Sequence, residues 1–265
     1  MEDKILLTER KGNVFVLTLN RPKKRNSLSQ ELIWEIYQML KESAKDDTIR
    51  AVVIQGFGEK AFCSGYDIVS LPTAVSLEMQ GLLANKSPLE LVLDAIANYP
   101  YPTIAMMNGS AYGAGYELAI CCDIRVAATD IRIGMPPAKI GLVYPWPGLQ
   151  RFIQTVGLRV TKEMFFTGDS YEGSIMLDNG MVDYLVPREE LEPFTYGLAD
   201  RISGNAPLSL KGTKRVINLL MSNGVMNEAN IKEAETIIAE SFNSDDLKEG
   251  QMSFLQKRAP QFKGK

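Results

Sequence analysis

Short apolar runs separated by helix-like stretches are the feature that most constrains how this chain folds. The runs over 14–19, 51–55 and 103–107 have the length of single β-strands, and each leads into a loop that contains glycine or proline. Between the first two runs, apolar residues recur three and four positions apart over 32–40, and a Ser-x-x-Gln capping box over 27–30 predicts where that helix begins. Strands that alternate with helices predict a layered α/β fold rather than a sandwich of sheets.

The last third of the chain has a different pattern, which predicts helices. Apolar residues recur at helical spacing over 191–202, 208–220 and 231–242. No linker rich in proline, glycine or serine separates this part from the rest. We therefore predict a core over 1–200 and a helical region over 201–265 that packs on the core or on a neighbouring subunit.

The absence of histidine from all 265 residues restricts the chemistry that the chain can perform. Serine–histidine triads, cysteine–histidine pairs, HExxH zinc sites and imidazole bases are all excluded. Acid–base chemistry must then come from carboxylates, phenols, amines or the backbone. The cysteines, Cys63, Cys121 and Cys122, are odd in number and lack a CxxC spacing, so we expect reduced core thiols rather than disulfides or a metal site.

Charge and hydropathy argue against two classes of partner. The net charge is -3, from 29 basic and 32 acidic residues, which gives no basic footprint for nucleic acid or anionic lipid. The mean hydropathy is -0.08, and no apolar run approaches the length of a membrane-spanning helix. Residues 1–12 are charged and lack the apolar stretch of a signal peptide. We expect a cytoplasmic protein that binds neither nucleic acid nor membrane.

Two glycine-containing loops follow predicted strands and have features of anion-binding loops. In the segment 61–68, AFCSGYDI, Gly65 allows the backbone to turn sharply and present an amide. In the segment 108–118, NGSAYGAGYEL, the glycines let a helix begin close to a ligand, with its unpaired N–H groups toward that ligand. Each loop alone also fits an ordinary strand-to-helix turn without a ligand.

The order of these loops resembles a known family. AFCSGYDI at 61–68 precedes NGSAYGAGYELAICCD at 108–123, and GMPPAKIGLVYPWPGLQRF follows at 134–152. The opening LNRPKKRNSLS at 19–29 and the closing EGQMSFLQKRAPQFKGK at 249–265 complete the set. These segments resemble the ordered motifs of the crotonase superfamily, also called the enoyl-CoA hydratase/isomerase family, over nearly the whole chain.

The resemblance implies a fold, a substrate class and an assembly. It implies an α/β crotonase (ClpP-like) fold of repeated ββα turns with a helical C-terminal trimerisation region. The substrate would be an acyl-CoA thioester, so that coenzyme A enters as part of the substrate and no separate cofactor is expected. A homotrimer or a dimer of trimers is implied. By motif position, the N–H groups of Tyr66 and Ala114 would form an oxyanion hole for the thioester oxygen.

Motif position also implies which residues bind the substrate. Lysines of the first loop would lie near the adenosine phosphates, although exposed lysines are also common as plain surface charge. Residues of the 61–68 loop would line the adenine and pantetheine, and residues near the C-terminus would reach a neighbour's ligand. The substrate-binding residues implied in this way are Lys23, Lys24, Ala61, Ser64, Gly65, Gly113, Pro137, Phe254 and Lys257.

The residues around the enolate decide the reaction, since family members share the enolate and differ there. Hydratases of the family carry two glutamates, of which Glu117 matches the first, whereas Pro137 stands where the second belongs. Tyr144 places a phenol where hydratases carry small residues. With the segments 67–72 and 191–195, this pattern looks most like the methylmalonyl-CoA decarboxylase branch.

The resemblance leads to a hypothesis of decarboxylation. A malonyl-type thioester, such as methylmalonyl-CoA, would bind with its carbonyl oxygen between the amides of Tyr66 and Ala114, while the Tyr144 hydroxyl binds its carboxylate. Carbon dioxide would leave as the electrons flow into the enolate. The enolate would then take a proton from water or from Glu117.

Two other functions stay open. A hydratase, dienoyl-CoA hydratase or isomerase would use Glu117 as its only catalytic carboxylate, and a non-catalytic acyl-CoA binder would have lost its chemistry with the second glutamate. Residue roles also have plainer alternatives: Glu117 as a structural carboxylate, Tyr144 as wall packing, and Asp67 fixing its loop through a local backbone hydrogen bond. We expect residues 71–87 to form the wall of the acyl pocket, and their sequence does not identify the acyl group of the substrate.

Overall fold

The structure, a computed structural model, describes residues 4–67, 87–222 and 228–265, without the side chains of Ser222 and Phe254. The expected acyl-pocket wall, apart from Ser87, lies outside the described residues, as do residues 68–72 of the branch motif.

The described residues form two sheets. The main sheet has six strands in the order β1-β2-β3-β5-β7-β10, and the small sheet has four in the order β4-β6-β8-β9. In the main sheet β1 is antiparallel to β2 and every other pairing is parallel. The strands are β1 (Leu6–Lys11), β2 (Val14–Leu19), β3 (Ala51–Gly56), β4 (Ala61–Cys63), β5 (Thr103–Met107), β6 (Ser110–Tyr112), β7 (Ile124–Ala128), β8 (Arg132–Gly134), β9 (Ser170–Glu172) and β10 (Tyr184–Val186).

Helices follow the strands and cover the sheets. The helix α1 packs against α2, and α6 packs against β3, β5 and β7. The helices are α1 (Gln30–Ser43), α2 (Pro88–Ala97), α3 (Ala114–Ile120), α4 (Trp146–Thr167), α5 (Ser174–Asp178), α6 (Arg188–Ser203), α7 (Pro207–Ser222), α8 (Glu228–Phe242) and α9 (Asp245–Gln256), with short 3-10 turns at Pro22–Lys24 and Pro137–Ile140. None of the described helices is both long and apolar enough to cross a membrane.

One order of elements occurs three times in the described residues: a main-sheet strand, a small-sheet strand and then a helix. The units are β3-β4-α2, β5-β6-α3 and β7-β8-α4. The main-sheet strands of these units are almost fully buried, since elements cover both faces, and this explains their continuous apolar runs. The repetition places the loops after β4, β6 and β8 beside one another, where the small sheet ends.

Most predicted elements are present, but the predicted start of α1 is wrong. The helix is capped by Ser29, whose hydroxyl accepts a hydrogen bond from the Leu32 N–H, and not by Ser27. Arg25 and Asn26 adopt positive φ values of 50° and 55°, so the chain is still turning there. The Ser27 hydroxyl instead accepts a hydrogen bond from Arg21, at 3.1 Å.

The division that we predicted at residue 200 lies inside α6. This helix continues to Ser203 and packs on the main sheet. Residues 204–206 separate it from the next helix, α7.

The cysteines are buried and free, which confirms that they are core thiols. Burial raises the pKa of Cys63 and that of Cys122 to about 12, and it raises the pKa of Cys121 as well.

Candidate active site

A cavity of about 560 Å³ opens where the loops after β4, β6 and β8 meet. Most of its side chains are apolar, and the polar groups are few. The described residues that line it are Ser64, Gly65, Tyr66, Ser87, Leu89, Glu90, Tyr112, Gly113, Ala114, Glu117, Pro136, Pro137, Ile140, Gly141, Leu142, Tyr144, Pro145 and Gly148. The structure therefore brings together residues from all three motifs that the sequence singled out.

Glycines let the two predicted anion-binding loops touch through their backbones. Gly65 has a φ of 103°, and a Cβ atom there would lie only 2.9 Å from the Tyr112 carbonyl oxygen and 3.7 Å from the Ala114 nitrogen. A Cβ atom on Gly115 would overlap the Cys63 carbonyl group. Larger residues at either glycine would push the loops apart, so this contact fixes the relative position of the two amides.

Tyr66 and Ala114 each line the cavity with an N–H group that has no acceptor among the described residues. The neighbouring amides differ, because the Asp67 N–H and the Gly113 N–H donate to backbone carbonyls at 2.9 and 3.0 Å. Ala114 is the first residue of α3, where an N–H has no partner within the helix. Two free donors beside one cavity are what a thioester oxyanion requires.

Glu117 is the most buried carboxylate of the site, with a side chain that is 3% exposed. Its Oε2 atom accepts a hydrogen bond from the Tyr144 hydroxyl at 2.5 Å, and its Oε1 atom accepts one from Arg151 Nη1 at 3.0 Å. Burial raises the pKa of Glu117, while Tyr144 and Arg151 oppose that rise. Glu117 can therefore hold a proton more readily than an exposed glutamate and can pass it into the cavity.

Arg151 links Glu117 to two acidic residues of α2 that the sequence analysis missed. The guanidinium pairs with Glu90 through both of its terminal nitrogens, Nη1 and Nη2, and Nη2 also donates to Asp94 at 2.8 Å. The Ser-x-x-Glu spacing from Ser87 to Glu90 is a helix-start signal in the sequence, and in the structure the Ser87 hydroxyl caps α2 by accepting a hydrogen bond from the Glu90 N–H. That signal predicts the start of α2, but nothing in the sequence shows that α2 faces Arg151.

Pro137 and Tyr144 lie on the same cavity as Glu117, as their motif positions imply. Pro137 is buried at the start of a 3-10 turn. Burial and the neighbouring Glu117 raise the pKa of Tyr144 well above its usual value, so the phenol keeps its proton. In the structure its hydroxyl donates to Glu117, whereas the sequence analysis placed it on the substrate carboxylate.

Gly148 lets the first turn of α4 approach this pair closely. A Cβ atom there would lie 2.5 Å from Tyr144 Cε1 and 2.7 Å from Glu117 Oε1. Gly148 is not conspicuous in the sequence, because a glycine near a helix start is common and does not by itself indicate a close contact.

The residues predicted to bind coenzyme A divide into two groups. Ser64, Gly65 and Gly113 line the cavity. Ala61 does not; it is buried in β4, and its carbonyl accepts a hydrogen bond from the Asn26 amide at 2.7 Å.

The predicted lysines lie on the surface beside the site. Lys23 and Lys24 are exposed on the turn Pro22–Lys24. The Ser64 hydroxyl donates to the Lys24 carbonyl at 3.4 Å, so this turn borders the cavity loop.

The two C-terminal residues are not among the described cavity lining. Lys257 is exposed directly after α9, and the side chain of Phe254 lies outside the described residues. Their contact with a neighbour's ligand stays a prediction.

Asp67 forms an ion pair that holds its loop, and its local backbone hydrogen bond stays a prediction. Its carboxylate pairs with Arg21 Nη2 at 2.9 Å. This ion pair ties the loop that carries the Tyr66 amide to the loop before α1.

Comparisons with known proteins show the family to which the chain belongs. The family described as "Enoyl-CoA hydratase/isomerase" matches residues 9–265. A short-chain-enoyl-CoA hydratase of Clostridium acetobutylicum is 33% identical over 260 residues, which cover 97% of each chain. A methylmalonyl-CoA decarboxylase of Escherichia coli is 30% identical over 254 residues, covering 96% of this chain and 95% of the relative.

A solved structure shows the same fold. The crystal structure of an enoyl-CoA hydratase/carnithine racemase from Magnetospirillum magneticum superimposes with a TM-score of 0.89, at 27% identity, covering 100% of this chain and 97% of that one. The predicted α/β crotonase fold of repeated ββα turns is confirmed. The chain belongs to the enoyl-CoA hydratase/isomerase family, within the crotonase superfamily that its motifs resemble.

Proposed function

We propose that this protein is a lyase that decarboxylates a malonyl-type CoA thioester, converting methylmalonyl-CoA to propionyl-CoA. One observation carries the proposal. Pro137, which by motif position replaces the second glutamate of hydratases, lines the same cavity as the Tyr144–Glu117 pair. A proline side chain cannot activate water. A phenol can donate a hydrogen bond to a substrate carboxylate, and the buried carboxyl beside it can hold a proton.

The thioester oxygen would bind first, between the N–H groups of Tyr66 and Ala114. Neither amide has an acceptor within the described part of the chain, and their loops are held in contact, so both donors are positioned before negative charge develops on the oxygen. Loss of one such donor typically costs about 3 kcal/mol of transition-state stabilisation.

The substrate carboxylate would then compete with Glu117 for the Tyr144 hydroxyl, which has one proton to donate. A second anion beside Glu117 raises the pKa of that carboxyl further. Glu117 therefore takes up a proton, and the Tyr144 hydroxyl turns to the substrate carboxylate.

The C–C bond to the carboxylate breaks next, and its electron pair enters the thioester to form the enolate as carbon dioxide leaves. Glu117 then transfers its proton to the α-carbon of the enolate, which gives the acyl-CoA product. Glu117 takes up another proton from solvent when the next substrate carboxylate binds beside it.

Hydration of an enoyl-CoA is the second candidate. It is favoured by the position of the Glu117 carboxylate on the cavity and by the name of the hydratase relative from Clostridium acetobutylicum. Among the described lining residues, Glu117 would have to act without a second free carboxylate, because Glu90 is paired with Arg151 through both oxygens.

The products of two CoA esters separate these functions. The purified protein is incubated with methylmalonyl-CoA and, separately, with crotonyl-CoA, and the masses of the CoA products are followed. The proposal predicts loss of carbon dioxide from the first and no change in the second. Addition of water to crotonyl-CoA without decarboxylation of methylmalonyl-CoA would contradict it, and binding without turnover of either ester would favour a non-catalytic binder.

The assembly and location follow the family expectation. We propose a homotrimer or a dimer of trimers, supported by large apolar side chains exposed on the C-terminal helices, such as Ile217, Phe242 and Leu255. A cytoplasmic location agrees with the buried free thiols.

A further inference from the structure

One guanidinium connects the candidate catalytic carboxyl to a second helix. Arg151 on α4 lies 3.0 Å from Glu117 on α3 and 2.8 Å from Asp94 on α2, and it pairs with Glu90 on α2 as well. Its side chain is only 16% exposed. Charges this close and this poorly solvated interact far more strongly than surface pairs do.

Arg151 lies behind Glu117 rather than on the substrate cavity. A second cavity, of about 650 Å³, is lined by Arg151 and Asp94 but not by Glu117. Among the described residues, the substrate cavity is lined by Glu117 but not by Arg151. Glu90 lines both cavities, so this cluster forms part of the wall between them. Arg151 can therefore affect the reaction through the two cavity-lining carboxyl groups that it contacts, Glu117 and Glu90.

The described titratable groups that interact with Glu117 are Tyr144 before α4, Arg151 on α4, Glu90 on α2 and Cys121 at the end of its own helix. Asp94 on α2 contacts the Arg151 guanidinium. One cation thus balances three carboxylates. Without it, Glu117 would face Glu90 with no compensating charge, and its ionised form would be strongly disfavoured.

We propose that Arg151 is a positioning residue that orients the Glu117 carboxyl toward Tyr144 and sets its protonation state. The planar guanidinium makes this possible, since Nη1 serves Glu117 and Glu90 while Nη2 serves Glu90 and Asp94. A lysine has one nitrogen in place of this fork and cannot bridge all three carboxylates in the same way. The role deepens the proposed function, but it concerns Glu117 itself and does not depend on which CoA ester reacts.

The test is a titration of Glu117 that needs no substrate. The full chain is labelled with glutamate carrying ¹³C at the side-chain carboxyl, and the Glu117 signal is assigned by its loss in Glu117→Gln. Arg151→Gln should raise the pKa of Glu117 by about one to three units. Glu90→Gln should lower the pKa of Glu117, because a negative neighbour is removed and the Arg151 charge is then shared only with Glu117 and Asp94 among its described partners.

The Glu117 pKa should rise in Arg151→Gln and fall in Glu90→Gln, and these opposite directions separate this role from a merely structural one. Arg151→Lys should give a smaller rise than Arg151→Gln, since it restores the charge without the fork. Arg159→Gln is the matched control: Arg159 lies on the same helix, its side chain is 72% exposed, and it pairs with Glu163 one turn away. This control should leave the titration unchanged.

An unchanged Glu117 titration in folded Arg151→Gln would overturn the proposal. If that variant does not fold, an unchanged or raised pKa in Glu90→Gln overturns it equally. The proposed function is judged separately by turnover. If decarboxylation uses protonated Glu117, the Arg151→Gln variant should stay active to a higher pH than the wild type. If the Glu117 titration shifts but no CoA ester is decarboxylated, the role of Arg151 is supported and the proposed function is wrong.

Discussion

A methyl group added at Gly148 should disable the site while leaving the fold almost intact. The new Cβ atom of Gly148→Ala would lie 2.5 Å from the Tyr144 ring and 2.7 Å from the Glu117 carboxylate, whereas ordinary contacts begin near 3.4 Å. The ring packs edge-on against Phe165, with 5.2 Å between centroids, so it has little freedom to move away. The pair must therefore shift by about 1 Å, and a misplacement of that size can cost about 100-fold in turnover.

Stability should change much less than activity. Overpacking costs about 1–3 kcal/mol, but alanine is favoured over glycine within a helix by up to about 1 kcal/mol. The assay compares kcat on methylmalonyl-CoA with the free energy of unfolding in urea. Gly197→Ala is the matched control: Gly197 lies within α6, and among the described residues its Cβ atom would meet only Arg201, at 3.8 Å.

We expect Gly197→Ala to keep wild-type turnover and to be at least as stable as the wild type. Wild-type turnover in Gly148→Ala would refute the reasoning, since it would mean that the Tyr144–Glu117 geometry does not matter for the reaction.

Three further predictions concern single residues. Tyr144→Phe removes the hydroxyl that would bind the substrate carboxylate and should lower kcat/KM for methylmalonyl-CoA by roughly 10- to 100-fold; an unchanged value in steady-state kinetics would assign Tyr144 to wall packing. Ser29→Ala should destabilise the protein by about 1 kcal/mol in urea unfolding through loss of the α1 cap, and equal stability would contradict that capping role. Cys63 and Cys122, whose pKa values burial raises to about 12, should react with a thiol reagent at pH 8 only after denaturant is added, and rapid modification of the native protein would show that they are accessible.

Local signals predicted several strands and the positions of the two glycine-containing loops well. The runs that form β2 and β5 have the predicted bounds, because a short β-branched run flanked by turn residues has few other structures open to it. Gly65 was found for a similar reason, since a positive φ at a loop is a backbone requirement that glycine makes visible in the sequence.

The start of α1 was mispredicted because two serines compete for the same role. Ser27 and Ser29 both precede the apolar face of the helix, and only the left-handed conformations of Arg25 and Asn26 decide between them. Those conformations depend on the contact of this loop with the segment around Ala61, through the Asn26 side chain.

The charge cluster behind the site was missed because it is non-local. Arg151 reaches Glu117 across 34 positions of sequence and Glu90 across 61. In sequence each of these residues looks like one of many surface charges, and only the packing of α2, α3 and α4 turns them into a buried network.

The exchange of α-hydrogens in D₂O tests the central claim most directly, namely that this cavity forms a thioester enolate and that Glu117 exchanges its proton. Propionyl-CoA is incubated in D₂O with the wild type and with Glu117→Gln, and the deuterium content of its α-carbon is followed by mass spectrometry. Because the reverse of enolate protonation removes an α-hydrogen, the account predicts deuterium uptake with the wild type and its loss in Glu117→Gln. No uptake with the wild type, or equal uptake with both proteins, would contradict it.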